Sequence, residues 1–448
     1  MIRLFHLLIF VMVTVLTGCD SIKRVGEIKH GTGFSAAEMC SRLFVSQEAE
    51  TLIVEDVIRH KVFPLTWVWH VDINREDKQV SVSAPFIPGL NKKTAVYREG
   101  IGCSVLDDDA PESLAVTAVK KHDLDAKRIS EIPVDISASA QAAIQPWFEE
   151  TTADSFRQQN TYAVLVMKNG KIIAEQYADG HGKDVPMLGW SMGKSLTALL
   201  AGVLFDQDKL TIDDIALPAS EIHPLPVRVK HLLNMSSGLE WDEVQYSGAS
   251  DASEMLYLEP DSAAYVATRP QIAQPGSKYT YSTGDTQLLA KFISDRVGGG
   301  GQAVYDFYQK ELFHKLGIGS AFFEHDPAGT FIGGARPFLK PRDWLKIGLL
   351  LQNKGRWNGE QVISEEWIDY LLTPSPANPY YGGTIWLGDE EVLGFPDDMF
   401  SMRGHLGQYM TVIPSQDLVI LRLGILHAED YPTQVMARTL EISQAISD

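Results

Sequence analysis

Ser191 and Lys194 stand three positions apart in GWSMGKSLTALLAG, residues 189–202, where a helix is expected to begin. A hydroxyl at a helix start sits among backbone N–H groups that point at whatever binds there. A lysine one turn on shares its face. If that face is buried, lost hydration lowers the lysine pKa and leaves a neutral amine able to take the serine proton. The apolar run LTALLAGVL that follows favours burial. The competing reading is an N-cap serine with a surface lysine, and about one or two such pairs arise by chance in a chain of this length. The pair alone does not decide.

Two later stretches supply what an acyl-transfer site still lacks. PGSKYTYSTGDTQLLA, residues 275–290, has a turn, then Tyr281, Ser282 and Thr283, then a helical apolar pattern. RGHLGQYMTVIP, residues 403–414, places His405 and Gly407 where an edge strand is expected to start. The ordered triple resembles the S-x-x-K, Y-x-N and K-T-G or H-x-G motifs of the serine β-lactamase and penicillin-binding protein superfamily. It is most similar to the branch holding class C β-lactamases, family VIII esterases and 6-aminohexanoate-dimer hydrolases. RVKHLLNMSSGLEWDE at 228–243, GTFIGGA at 329–335 and RPFLKPRDWLKIGLLLQNKGRWNG at 336–359 look like that branch too. The resemblance spans about residues 140 to 448.

The resemblance implies a role for each motif. Ser191 attacks a carbonyl and becomes acylated, which splits one hard step into two easier ones. Lys194 holds the nucleophile deprotonated and keeps Tyr281 partly anionic. Tyr281 shuttles the serine proton to the leaving group. The backbone N–H groups of Ser191 and Gln408 form the oxyanion hole. His405 and Gly407 line the site. Thr283 stands where β-lactamases carry asparagine, and His405 where most β-lactam-binding members have lysine to grip a carboxylate. Both departures favour esters or linear amides over β-lactams. The 6-aminohexanoate-dimer hydrolases share the small hydroxyl-bearing replacement and the following pair, here Asp285 and Thr286. Trp190, Trp241, Trp386 and Tyr409 are candidate substrate walls, with core or rim packing as the alternative. Asp242 and Glu243 either border the pocket or are solvated.

Around the site, the chain must supply elements to position it. Its 448 residues allow two or three domains, with 45% hydrophobic and 22% charged residues, an ordinary globular balance. A formal charge of -19 repels phosphate and argues against nucleic acid or anionic lipid as a partner. Scattered histidines without H-x-x-x-H spacing, and the absence of a glycine phosphate loop, imply no metal and no cofactor. Strand-like runs at 162–178 (joined by Asn169-Gly170, a strong hairpin signal) and at 408–425 flank a mostly helical middle. That pattern predicts an α+β fold, one antiparallel sheet built from both ends of a domain with helices on it and an all-helical insertion. Residues 131–448 are expected to form this hydrolase domain. Residues 19–130 are expected to form a smaller α+β domain and linker, the acidic LDDDAPES at 106–113 marking the join.

The N-terminus reads as an export signal. Arg3, an apolar run of about 14 residues and LTGC at 16–19 resemble the leader and lipobox of bacterial lipoproteins. That implies removal of residues 1–18, acylation of Cys19, and a periplasm-facing chain on the membrane, with Asp20 favouring the inner membrane. Cys40 and Cys103 then remain as an even pair suited to a disulfide in an oxidising compartment. The leading expectation is a lipid-anchored serine hydrolase of small esters or amides. The alternatives are a β-lactamase or D,D-peptidase, and a binding lipoprotein that keeps the fold without turnover.

Overall fold

The structure, a computed structural model, describes residues 19–59, 69–84, 91–106, 114–125, 130–149, 159–243, 249–428 and 430–446. The expected leader at 1–18 and the acidic stretch from 107 to 113 lie outside the described residues. Helix α1 runs from Cys19–Phe44, and a shorter helix over Glu50–Ile53 continues as a π-helix through Val54–Ile58. Four strands follow as an antiparallel meander: β1 His70–Asn74, β2 Gln79–Ser83, β3 Lys93–Arg98 and β4 Gly102–Leu106. TAVYREGIGC, residues 94–103, spans the end of β3 and the start of β4. Gly100 and Gly102 adopt φ of +85° and +63°, which turns the chain back between β3 and β4. Cys40 on α1 is joined to Cys103 on β4, so the helix is stapled to the last strand of the meander.

The larger sheet has six strands. After α2 (Ala138–Ile144) come β5 (Gln159–Lys168) and β6 (Lys171–Tyr177), joined by Asn169 and Gly170 at φ of +51° and +71°. Two left-handed residues match the twist of the flanking strands and make this hairpin tight. α3 (Met192–Asp206), α4 (Thr283–Arg296) and α5 (Pro341–Gln352) belong to the long middle segment. The sheet is completed by β7 (Trp386–Leu387), β8 (Phe400–Gly404), β9 (Gln408–Ile413) and β10 (Leu418–Leu426), and α6 (Tyr431–Ala445) ends the described chain. The strand order β7-β8-β9-β10-β5-β6 is antiparallel throughout, so both ends of the domain do build one sheet. The middle is not wholly helical, since two- and three-residue ladders interrupt it.

Both faces of this sheet are covered. Along β5, Ala163, Leu165 and Met167 pack into one core, which also holds Leu196, Leu199 and Leu345 from α3 and α5. Val164 and Val166 point to the other face, where Ala140 and Ile144 of α2 meet Val435 and Met436 of α6. The period of two along a strand thus feeds two separate cores, which is why the sequence reads as nearly continuous apolar runs here.

Two local features place the chemistry. Met187–Leu188 pairs with Pro337–Leu339, which pairs with Phe322–Phe323, so a small ladder fixes the chain just before Ser191. His405–Gly407 forms a single 3-10 turn between β8 and β9. β9 was expected at an edge. It lies inside the sheet, because Phe400–Gly404 pairs along its outer side.

Replacing Cys40 and Cys103 together with serine is expected to lower stability by about 4 kcal/mol, the chain-entropy cost of opening a 63-residue separation. For a chain of this size that is a fall of about 5 °C in melting temperature, read by scanning calorimetry. An unchanged melting temperature would show that packing alone holds α1 on its sheet.

Candidate active site

The loop before α3 carries the nucleophile in a constrained backbone. Trp190 adopts φ of +49°, a left-handed conformation that costs a bulky residue about 1–3 kcal/mol. Packing holds it there. Trp190 is buried, its ring meets His405 edge-on at 5.4 Å, and the Arg336 guanidinium lies 5.6 Å from its centre. Gly404, at the end of β8, lets that strand touch the loop, since a Cβ there would sit 2.3 Å from the Gly189 carbonyl oxygen.

Ser191 then occupies the N-cap position of α3, but it does not cap. Its backbone is already helical, φ -65° and ψ -6°, and its side chain accepts nothing from the first turn. A capping serine adopts extended backbone and takes an N–H from two or three residues on. The Ser191 hydroxyl instead accepts from the Lys194 amine at 2.9 Å. This geometry rules out the ordinary-cap reading.

Lys194 is 1% exposed, on a helix whose residues from Met192 to Leu204 are all buried. Its amine has three contacts: Ser191 Oγ, Thr283 Oγ1 at 2.8 Å and the Gly334 carbonyl at 3.0 Å. Burial lowers its pKa to about 8, against the pull of Glu243 and Asp285 in the other direction. The neutral amine has two N–H donors and one lone pair. Gly334 O carries no proton. The Thr283 hydroxyl gives its proton to Glu243 Oε1. Of the three neighbours, only Ser191 can therefore donate to the lone pair.

Glu243 anchors this arrangement from the side. Its second oxygen accepts from the Thr283 backbone N–H at 2.7 Å and from the Trp241 indole at 2.6 Å. Its first oxygen lies 3.8 Å from the lysine amine. Tyr281 completes the set, with its hydroxyl hydrogen-bonded to Ser191 and its ring centre 4.7 Å from the lysine amine. Its expected partial negative charge is not supported. Burial, then Glu243, push the phenol well above its ordinary range, and the bond to Ser191 offsets only part of this. Tyr281 is thus a neutral phenol.

These groups open onto a cavity of about 250 Å³. Ser191, Tyr281, Trp386, His405 and Tyr409 line it, all singled out from sequence. Glu243, Arg403 and Tyr431 line it as well. Glu243 carried only a weak sequence signal beside Trp241, Arg403 opens the RGHLG stretch, and nothing in the sequence pointed to Tyr431.

Other expected substrate contacts lie elsewhere. Thr283 is fully buried between Lys194 and Glu243, so it orients the base and does not reach the cavity. Asp285, 1% exposed, accepts from the Ser237 hydroxyl at 2.6 Å, and burial raises its carboxyl to about 7. It braces the start of α4. Trp241 holds Glu243. Gly407, at φ +88°, is required by Arg422, whose guanidinium nitrogen would lie 2.7 Å from a Cβ. The Gln408 side chain ties the turn to β10 by bonding to the backbone of Gly424 in both directions, with Gly424 N–H donating at 2.9 Å. Among the described residues no group of three or more histidine, cysteine, aspartate and glutamate side chains is disposed to hold a metal ion.

A family model described as Beta-lactamase matches residues 150–432. A 6-aminohexanoate-dimer hydrolase of Paenarthrobacter ureafaciens is 23% identical over 345 residues, covering 70% of this chain and 82% of that one. A Bacillus anthracis structure provisionally assigned as a 6-aminohexanoate-dimer hydrolase superposes with a TM-score of 0.60 at 19% identity, over 75% of this chain and 94% of the other. A family VIII carboxylesterase gives 0.52 at 15% identity, over 69% and 98%. A penicillin-binding protein homologue from Caulobacter crescentus gives 0.52 at 16% identity, over 69% and 98%. These likenesses support the α+β fold expected from sequence.

A lysine base acts only when neutral, so hydrolysis is expected to rise with pH through a midpoint near 8. Glu243→Gln removes the strongest charge holding that proton on Lys194, so the midpoint should move to lower pH. A pH profile of kcat/KM for a neutral ester reads both effects. A midpoint that stays in place or moves upward in the variant contradicts the assignment of the base.

Proposed function

The chain belongs to the β-lactamase family of serine hydrolases, and we propose that it cleaves small esters and linear amides through an acyl-enzyme on Ser191. The observation that carries this reading is the buried Lys194 amine, its pKa lowered, within hydrogen-bond distance of the Ser191 hydroxyl at 2.9 Å. In the proposed sequence, Lys194 takes the serine proton as Oγ bonds to the substrate carbonyl carbon. The oxygen of the tetrahedral species is held by the backbone N–H groups of Ser191 and Gln408, at a helix start and a strand start. Tyr281, bonded to Ser191, gives its proton to the departing alcohol or amine and is restored by the proton on Lys194. Water then attacks the acyl-enzyme with the same groups working in reverse.

The cavity's electrostatics favour substrates without a carboxylate near the scissile bond. Arg403 is the sole lysine or arginine among its described lining residues, and it is fully engaged. It pairs with Asp389 at 2.9 Å, donates to Ser401 Oγ at 2.8 Å and to Gly388 O at 3.0 Å, and lies against the rings of Trp386 and Tyr409. The adjoining cavity of about 420 Å³ shares Arg403 and Trp386 but adds Glu390, Glu391 and Asp430. A carboxylate entering here meets a spent cation and several anions. β-Lactams and cell-wall peptides carry such a group, while neutral esters and amides do not.

We also place the protein on the periplasmic side of a bacterial membrane, most simply the inner one, through lipid on Cys19 after loss of residues 1–18. LTGC at 16–19 and Asp20 support this, and residues 19–130 would then form the small domain between anchor and hydrolase. Radiolabelled palmitate should be incorporated by the wild type and not by Cys19→Ser.

Kinetics on three substrates test the specificity: a neutral nitrophenyl ester, its carboxylate-bearing counterpart and a chromogenic cephalosporin. The neutral ester is expected to win by about tenfold or more in kcat/KM. Ser191→Ala should reduce all hydrolysis to background, and Asp389→Asn, which frees Arg403, should narrow the gap between the two esters. Cephalosporin turnover equal to that of the neutral ester would move the assignment to a β-lactamase.

A further inference from the structure

We propose that Glu38, on the N-terminal helix α1, is a positioning residue for the nucleophile, acting through Arg336 on the strap 333–337 that braces the Ser191 loop. The inference rests on the acyl-enzyme reading above and gives the N-terminal unit a part in it.

The strap touches the nucleophile segment at four successive places. Gly333 O accepts from Thr197 Oγ1 at 3.0 Å, and Gly334 O accepts from the Lys194 amine at 3.0 Å. The Arg336 guanidinium lies under the Trp190 ring, and Pro337 O accepts from Gly189 N–H at 2.9 Å. Contact is close enough that a Cβ on Gly193 would stand 2.6 Å from the Gly333 oxygen. Any shift of the strap therefore moves the strained Trp190, the base and the serine together.

Part of what holds the strap comes from the N-terminal helix. Arg336 is 3% exposed and has three partners. Its Nη1 pairs with Glu38 Oε1, its Nη2 donates to Ser41 Oγ at 2.8 Å, and its Nε donates to Glu324 Oε2 at 2.6 Å. Glu38 and Ser41 both belong to α1. Ser41 Oγ in turn donates to Glu324 Oε1 at 2.7 Å, and the Cys103 N–H donates to the same oxygen at 2.8 Å. The disulfide Cys40–Cys103 thus joins the residue beside Ser41 to a residue that itself donates to Glu324. Glu38 is completely buried, and its other oxygen accepts from Arg42 at 3.0 Å. Burial alone would raise its carboxyl, but Arg336 and Arg42 together hold it below its ordinary value, so it is a carboxylate. A buried guanidinium deprived of one carboxylate must find another partner or move.

A second contact between α1 and the rest of the chain provides the control. His30 on α1 meets Glu254 at 2.7 Å, also joining the N-terminal helix to the rest of the chain. Glu254 touches neither the strap nor the Ser191 loop, so loss of this pair loosens docking without touching the clamp.

The test compares wild type, Glu38→Gln and Glu254→Gln in the full disulfide-bonded chain. Each is labelled with a fluorophosphonate, and both the rate and the final adducts per chain are read, beside kcat and KM for a neutral ester. Glu38→Gln is expected to reach one adduct per chain about tenfold or more slowly, with kcat reduced alike and KM within about twofold, because a misplacement near 1 Å is worth up to two decades in rate. Glu254→Gln should label at the wild-type rate even where its melting temperature falls. Wild-type labelling by Glu38→Gln, or equal slowing in both variants, overturns the proposal. Should Glu38→Gln fail to fold, Ser41→Ala keeps every charge and removes only the hydroxyl bonds to Arg336 and Glu324. It should slow labelling several-fold, and an unchanged rate overturns the proposal. A wild type that takes no adduct on Ser191 sinks the acyl-enzyme reading itself, which is a separate outcome.

Discussion

A lysine amine with 1% of its surface exposed, deep in an apolar helix, is the constraint around which the rest is arranged. Such a group is costly as an ammonium and has to be given partners. This one receives a serine, a threonine and a carbonyl from three separate parts of the chain, α3, α4 and the strap at 334. The carboxylate of Glu243 stands back at 3.8 Å, close enough to keep the pKa from falling further and committed to Thr283 and Trp241. The outcome is an amine that titrates near 8 and holds the Ser191 hydroxyl at 2.9 Å. Moving any of the three partners changes both the basicity and the aim of the base.

That requirement explains why so much of the surrounding structure is rigid. The left-handed Trp190 turns the chain so that Ser191 faces Lys194 and not the first-turn N–H groups. Glycines at 193 and 404 allow backbone to press on backbone, and Gly189 lets the Trp344 ring close on the same loop. Helix α1 and the N-terminal meander lie outside the residues matched by the family model, yet α1 reaches this region through the buried Glu38–Arg336 ion pair and the meander through the Cys103 N–H on Glu324. Buried pairs contribute little net stability after desolvation, but they are directional, and direction is what a strap beside a catalytic base needs.

Much of this was legible in the sequence, for identifiable reasons. The Asn169-Gly170 hairpin and the apolar runs at 408–425 specify the sheet because turn chemistry and strand period are local signals. Ser191, Lys194 and Tyr281 were found because their spacing resembles known motifs in order. What the sequence hid depends on long-range contact. Thr283 and Asp285 carry the right residue types for substrate contact, yet helix α4 turns them inward to Lys194 and Ser237. Tyr281 was expected to be partly anionic, and only its depth, with Glu243 close by, shows that it is neutral. Arg403 looked like nothing in particular. Its engagement with Asp389 has no sequence signature at a separation of fourteen residues through a hairpin, and it decides the polarity of the cavity. Glu38 lies almost three hundred residues from Arg336, beyond any local pattern.

The measurement that tests the central claim most directly is mass spectrometry of the protein quenched in acid during steady turnover of a slow neutral ester. The account predicts a fraction of chains heavier by the acyl group, with the added mass on the peptide bearing Ser191 and absent once substrate is exhausted. Turnover at full rate with no acyl mass on that peptide, in samples quenched fast enough to trap it, would contradict the account and place the chemistry on another group.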